Sequence, residues 1–301
     1  MEPETISKNG ASLKSQMSRG NFIIGCKLYF FHLIAVAMLT MITVSKVDAQ
    51  SQMNFSWGQQ DVGFSISGSG TASIDWGDGE KYSYRLSPKR TIDLKHNYTT
   101  SANNITIIGD SITELIIGGF ITKFDISKNT ALKYLNYMTY NGPLKSLDVS
   151  KNTALTYLDC SGSNLTSLNV SKNTQLTELN CSANQLTSLD VSKNTALTVL
   201  NCRSNQLTNL DVSKNTMLGD LDCSYNQLTN LDVSRNTVLN LLKCQNNNLS
   251  VTALNALFDT LHNKAVHGNK ELWKQIKITD NPGTSNCDIG IAEDKGWKQW
   301  H

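Results

Sequence analysis

The strongest constraint on this chain is a period of 21 residues. Cys160, Cys181, Cys202, Cys223 and Cys244 keep that interval, as do Leu158, Leu179, Leu200, Leu221 and Leu242, and again Leu168, Leu189, Leu210 and Leu231. One unit, Leu176 to Ala196, reads LTELNCSANQLTSLDVSKNTA. A fixed period of this length marks a stack of like coils. Leu158 and Cys160 lie two residues apart, so an extended chain points both to one side. That side is the expected interior, with Leu155 and Leu165 turning in from the flanks. The Leu168/Val170 pair repeats the alternation on the opposite wall. Each coil is therefore expected to be flattened, with two short extended sides, stacked on its neighbours at about 4.8 Å, the strand spacing of a sheet. No single coil can bury both of its faces, so stability must come from stacking.

Asn184, Asn205, Asn226 and Asn247 recur at one position, which Ser163 takes once. Buried at a turn, such side chains are expected to satisfy backbone groups of the next rung. The early units are irregular. Phe124 to Thr130 is a clear second half. Leu132, Leu135 and Tyr137 open a unit lengthened by two residues, with Tyr137 in the Cys position. A weaker unit begins near Ile112 and Leu115. The pattern L-x-x-L-x-C-x-x-N-x-L matches the leucine-rich-repeat signature, with Cys replacing the third Leu. Residues 112–249 resemble the repeats of exported bacterial proteins, common in Bacteroidetes, whose units carry a second LDxS-type half. The resemblance implies a mainly β leucine-rich-repeat solenoid with stacked parallel strands over 111–249.

The two ends differ from the repeats. Leu28 to Val44 is apolar, follows Lys14, Arg19 and Lys27, and precedes Val47-Asp48-Ala49. This order is that of a secretory signal peptide, 1–49, cleaved after Ala49; an uncleaved anchor helix is the alternative. Translation starting at Met17 would shorten the basic region. Cys26 precedes the apolar run, so it does not read as a lipidation site. Residues 50–110 alternate in short strands around Val62–Ile66, Ala72–Trp76, Ile92–Leu94 and Ile105–Ile107. Trp76-Gly77-Asp78-Gly79 reads as a tight turn. With His96-Asn97-Tyr98 it resembles the WGDG and H-x-Y signatures of PKD-like domains, which implies a small β-sandwich-like unit that caps the first rung. Asp75 and Asp78 are assigned to turn chemistry rather than to calcium. In the C-terminal cap, 250–301, Ser250 is expected to cap a helix with Val251, Leu254, Leu257, Phe258 and Leu261 on one face. Trp273 to Asp280 then reads as a last strand, and Asp288 to Lys295 as a short helix ended by Gly296.

A net charge of +2 gives no reason to expect nucleic-acid binding. The Cys ladder has no CxxC spacing and is read as small buried hydrophobes, not as a metal site; a Cys244–Cys287 pairing is left open. Lys128, Lys151, Lys172, Lys193, Lys214 and Arg235 form a basic row, and Asp125, Asp148, Asp190, Asp211 and Asp232 an acidic one three residues earlier. Like charges at about 5 Å in water repel by only about 1 kcal/mol. The acidic row offsets this, so the wall reads as solvated rather than as a polyanion strip. None of the five His stands in a nucleophile motif, and GxSxG, P-loop and HExxH are absent. We therefore expect no enzyme, cofactor or metal. The expected ligand surface is the concave face, with Tyr134, Tyr157, Asp159, Glu178, Asn180, Asn201, Arg203, Asp220, Asp222 and Lys243 outward. The expectation is a monomer that recognises a protein ligand outside the cytoplasm. It would touch a membrane only through segment 28–44. Glycan binding in nutrient capture and a structural envelope role are the alternatives.

Overall fold

The structure, a computed structural model, describes residues 50–59, 61–99, 103–139, 142–264 and 274–300. The proposed signal segment, 1–49, and Trp273 lie outside them. The fold is mainly β: an N-terminal antiparallel unit continues without a break into a solenoid of stacked parallel strands.

The N-terminal strands are β1 (Ser51–Trp57), β2 (Asp61–Asp75), β3 (Lys81–Leu86), β4 (Ile92–Asn97), β5 (Asn103–Gly118) and β6 (Ile121–Asp125). The two strands expected at Val62–Ile66 and Ala72–Trp76 are halves of one long strand, β2. It bends where Gly70, at φ +79°, comes so close to Asp110 that a side chain there would clash. Its first half pairs with β4, its second half with β3, and both halves with β5. Alternate residues of β1 and β2 face inward, so Phe55, Phe64, Ile66, Ile74 and Trp76 make an aromatic-aliphatic core. Phe64 lies 5.4 Å from Phe55 and 5.5 Å from Trp76, ring centre to ring centre.

The expected turn follows Asp75. Gly77 and Gly79 both take positive φ, and Trp76 N–H donates to Glu80 C=O at 3.1 Å. The carboxylates serve the turn: Asp75 accepts from Gly77 N–H and Asp78 from Glu80 N–H, each at 3.0 Å. Their remaining oxygens meet Lys81 at 2.8 Å and His96 at 2.6 Å. The His96 ring stacks on Trp76, and the Tyr98 hydroxyl donates to the Trp76 carbonyl at 2.7 Å.

β5 belongs to both architectures. Its first part pairs with β1, its last residues pair in parallel with β7 (Tyr134–Met138), and β2 runs along the other edge. Leu115 and Ile117 thereby stand beside Leu135 and Tyr137, the weak first unit read from the sequence. The parallel ladder continues through β8 (Tyr157–Asp159), β9 (Glu178–Asn180), β10 (Val199–Asn201), β11 (Asp220–Asp222) and β12 (Leu241–Lys243). Each inward Leu pairs with its equivalent one rung away. The inward Leu and the five ladder Cys are fully buried, all within 1% of zero exposure, and so is Tyr137 in its Cys position. Burial raises the Tyr137 phenol to about 12. All five ladder cysteines and Cys287 are free thiols, so Cys244 and Cys287 are not paired.

Beside the backbone bonds between rungs, two side-chain ladders bond to backbone groups of each coil and its neighbour. Asn205 shows the expected one. Its Oδ1 accepts from Leu186 N–H at 3.0 Å, and its Nδ2 donates to the carbonyls of Cys181 and Cys202, both at 3.0 Å. Leu186 and Cys181 belong to the preceding rung, not to the next one, so the direction of the link is opposite to the expectation. Asn184, Asn226, Asn247 and, in the cap, Asn281 repeat the motif. The residue just before each takes a left-handed conformation (Ala183, Ser204, Tyr225, Asn246 and Asp280, at φ +53° to +61°), which aims the amide into the turn.

The second ladder lies on the opposite wall, where the expected extended side forms no strand among the described residues. There the chain turns tightly after Val170, with Asn173 N–H donating to Val170 C=O and Leu176 N–H to Asn173 C=O. Carbonyls that a strand would have paired are taken by amides of the following rung. Asn194 Nδ2 donates to Val170 and Asn173, and Asn152, Asn173, Asn215 and Asn236 do the same in turn.

The C-terminal elements cover the last rung. Ser250 Oγ accepts from Ala253 N–H and starts α1 (Val251–Thr260), which buries Leu254, Leu257 and Phe258. At its other end the Lys295 ammonium donates to the Phe258 and Asp259 carbonyls in the last turn. The last predicted strand is shorter than expected, β13 (Lys274–Lys277), because the chain turns at Asp280. The short helix is α2 (Gly290–Asp294), and Gly296 at φ +79° leads into a further strand, β14 (Trp297–Gln299). β13 and β14 extend the parallel ladder beyond β12.

Candidate functional site: the outward strand face

Alternation places the residues on either side of each inward Leu on the opposite face of the sheet. Two columns result. Tyr134, Tyr157, Glu178, Val199, Asp220 and Leu241 precede the inward Leu, and Asn136, Asp159, Asn180, Asn201, Asp222 and Lys243 follow it.

The second column is largely committed to the fold. Four of its Asp and Asn oxygens accept the backbone N–H two residues on: Asp159 from Ser161 (2.9 Å), Asn180 from Ser182 (3.2 Å), Asn201 from Arg203 (3.1 Å) and Asp222 from Ser224 (3.1 Å). These Asx turns end the strands after three residues and lead the chain toward the Asn ladder. Asp159 is buried, and its other oxygen accepts from Asn180 Nδ2 at 2.9 Å. Asp222 reaches Lys243 at 3.8 Å. The recurrence of D/N-x-S/R after the inward Leu was the signal for this role in the sequence.

The first column leaves its side chains free to present chemistry. Parallel register sets Tyr134 beside Tyr157, and their rings stack at 4.1 Å and 7°. Glu178, exposed, is the next member. Burial against the neighbouring ring pushes the Tyr157 phenol well up; the Tyr134 hydroxyl and then the Asp159 and Glu178 charges add to it. Tyr157 therefore stays a neutral ring beside carboxylates, stacked on Tyr134. Further along, Asp220 is held above the usual carboxylate range by partial burial, which Lys243 partly offsets. Arg203 is exposed, with its guanidinium 4.6 Å from the centre of the Tyr225 ring. Tyr225, 44% exposed, was not among the residues singled out in the sequence, because it follows the strand rather than lying in it. Tyr140, which lies near Tyr134 and Tyr157 in the sequence, is outside the described residues. Among those residues no three His, Cys, Asp or Glu side chains gather where they could hold a metal ion.

The charged rows lie on the far wall. There the acidic side chains bond to the chain, not to the lysines: Asp148, Asp190 and Asp211 accept from Ser150, Ser192 and Ser213 N–H at 2.8–2.9 Å. Those backbone bonds, with the Ser hydroxyls second, hold the carboxyls below the usual range. A carboxylate depressed in this way adds stability above its unfolded value, near pH 4, and loses it as pH falls through the folded value. Asn169 already fills the same role for Ser171 at 3.0 Å. Replacing Asp148, Asp190 and Asp211 together by Asn should leave stability at pH 7 nearly unchanged and move the acid unfolding midpoint to lower pH, as followed by circular dichroism. An unchanged midpoint would contradict this account of the row.

Comparison with known proteins finds solved leucine-rich-repeat structures similar in form. The functional domain of InlJ from Listeria monocytogenes, described as including a cysteine ladder, is 30% identical over 60% of this chain and 46% of its own, with a TM-score of 0.42. A leucine-rich-repeat protein of Leptospira interrogans is 21% identical over 58% of this chain and 50% of its own, at 0.42. The internalin InlF of Listeria monocytogenes is 20% identical over 56% and 54%, at 0.41. The chain thus spans about half the length of these proteins. No protein-family model and no curated protein matches it.

Proposed function

We propose that the chain is a non-catalytic recognition protein of the leucine-rich-repeat type, working outside the cytoplasm. Its outward strand face would bind a protein ligand. One observation carries this reading: the stacked Tyr134–Tyr157 pair, held by parallel register on a face whose other column is locked by Asx turns. Tyr presents a large, stiff, amphipathic surface with little entropy to lose on binding, which is why interface hot spots favour it. Arg203, stacked on Tyr225, adds a second anchor of the same kind further along the sheet. Export rests on the apolar segment 28–44 and on its likeness to a signal peptide. Among the described residues no helix is long and apolar enough to cross a membrane. The WGDG segment, with Trp76, His96 and Tyr98 in mutual contact, supports a PKD-like N-terminal unit.

The test compares two baits, the natural chain and Tyr134→Ala/Tyr157→Ala, against extracellular-matrix and bacterial-surface protein extracts. Both substitutions lie outside the buried core, so the bait keeps its circular dichroism spectrum. A protein retained by the natural chain and lost from the variant supports the reading. Equal retention by both baits, or no specific retention, contradicts it.

A further inference from the structure

At the C-terminal end of the same face an indole lies among ammonium groups. Trp300 is 45% exposed, and its backbone is fixed by donation from its N–H to Ile276 C=O at 2.9 Å. Lys277 Nζ lies 5.0 Å and Lys243 Nζ 5.4 Å from its ring centre. Register explains the gathering: Lys243 of β12 and Lys277 of β13 are direct partners, and Trp300 follows Gln299, the partner of Ile276. Lys298, exposed on β14, stands two residues before Trp300. Lys243 has Asp222 at 3.8 Å, whereas Lys277 makes no ion pair among the described residues. Two like charges thus converge on one ring. An exposed cation gains only a weak attraction from a ring, so the cluster retains an excess of positive charge that an anion would relieve.

We propose that Trp300, Lys243 and Lys277 form a binding site for an acidic glycan, separate from the Tyr134–Tyr157 platform. The apolar face of a pyranose ring would lie on the indole, and its carboxylate or sulfate would meet the two ammonium groups. A membrane surface fits less well, because among the described residues Trp300 has no exposed apolar neighbour on β13 or β14. Its neighbours on β13 and β14 are Gln275, Lys277, Lys298 and Gln299, with no further apolar side chain to insert.

The full chain is titrated by calorimetry and tryptophan fluorescence with four probes: a galacturonate oligosaccharide, a dextran sulfate oligosaccharide, a neutral maltohexaose, and phosphatidylglycerol vesicles. One or both acidic glycans should bind, more weakly as salt is raised, and maltohexaose should not. Trp300→Ala should weaken binding roughly tenfold or more, and Lys277→Gln by about the same factor. Both residues lie outside the buried core, so an unchanged circular dichroism spectrum certifies each variant. Tyr134→Ala/Tyr157→Ala should bind the glycan like the natural chain, which separates this site from the protein-ligand face. The proposal is overturned if neither acidic glycan binds at millimolar concentration, if maltohexaose binds equally well, or if Trp300→Ala binds unchanged. Trp300-dependent attachment to vesicles without glycan binding would overturn it in favour of a membrane contact.

Discussion

Asn205→Ala should destabilise the protein by about 2–3 kcal/mol, read from urea unfolding. The side chain is small, but it completes four hydrogen bonds to buried or nearly buried backbone, with Leu186 N–H and the Cys181, Cys202 and Arg203 carbonyls. Leu186 N–H has no other partner among the described residues, so truncation strands a donor inside the stack. Asn194→Ala should cost less, about 1–2 kcal/mol. It removes two donated bonds, and its Oδ1 is buried with no partner to lose. Asn205→Ser should fall between the natural chain and Asn205→Ala, because Ser163 already holds this position in one rung and bonds to the Tyr137 and Ser161 carbonyls. Equal losses at Asn205 and Asn194 would mean that the two ladders are not the distinct devices described above.

Excising one complete period should leave a folded, shorter protein. Removal of residues 182–202 joins Cys181 to Arg203, the residue that naturally follows Cys202, and places β9 beside β11 in the original register. Each rung contacts only its neighbours, so the loss is one rung and one interface. Removal of residues 182–191 instead carries Ser192 to the place after Cys181 and destroys the inward pattern. That variant should be insoluble or lack a cooperative transition. Circular dichroism and thermal unfolding of the two deletions measure the contrast directly. Comparable behaviour of both would show that register between rungs does not hold the fold.

The interior was legible because period and alternation act on side-chain polarity, which a sequence displays directly. Leu158, Cys160, Tyr137 in its Cys position, and the helix at Leu254, Leu257 and Phe258 are all buried as expected. What a period does not display is which polar atom meets which. Asn173 and its equivalents drew no reading in the sequence, yet they carry a second ladder, because the tight turn after Val170 leaves carbonyls that a side-chain amide reaches. The direction of the Asn205 link depends on the left-handed residue before it, and Ala, Ser and Tyr at that position give no warning as Gly would. On the outward face, Tyr134 and Tyr157 were found because aromatic residues stand out on a polar strip. The commitment of Asp159, Asn180, Asn201 and Asp222 to local turns was not foreseen, because a polar residue in an exposed column looks the same whether it serves the fold or a ligand. Trp300 was overlooked because β14 lies outside the repeat and shares none of its pattern.

Thiol labelling of the folded protein reaches the central claim most directly. Cys160, Cys181, Cys202, Cys223 and Cys244 are sealed in the stack, and burial pushes their thiols up, Cys181 and Cys244 to about 12. Cys287 is only partly covered. Thiolate is the reactive form, so iodoacetamide at pH 8 should label Cys287 alone among residues 50–300. The five ladder cysteines should react only after denaturant is added, all in one cooperative step. Labelling of two or more ladder cysteines at the rate of Cys287, while circular dichroism shows the fold intact, would contradict a dry interior shared by stacked coils.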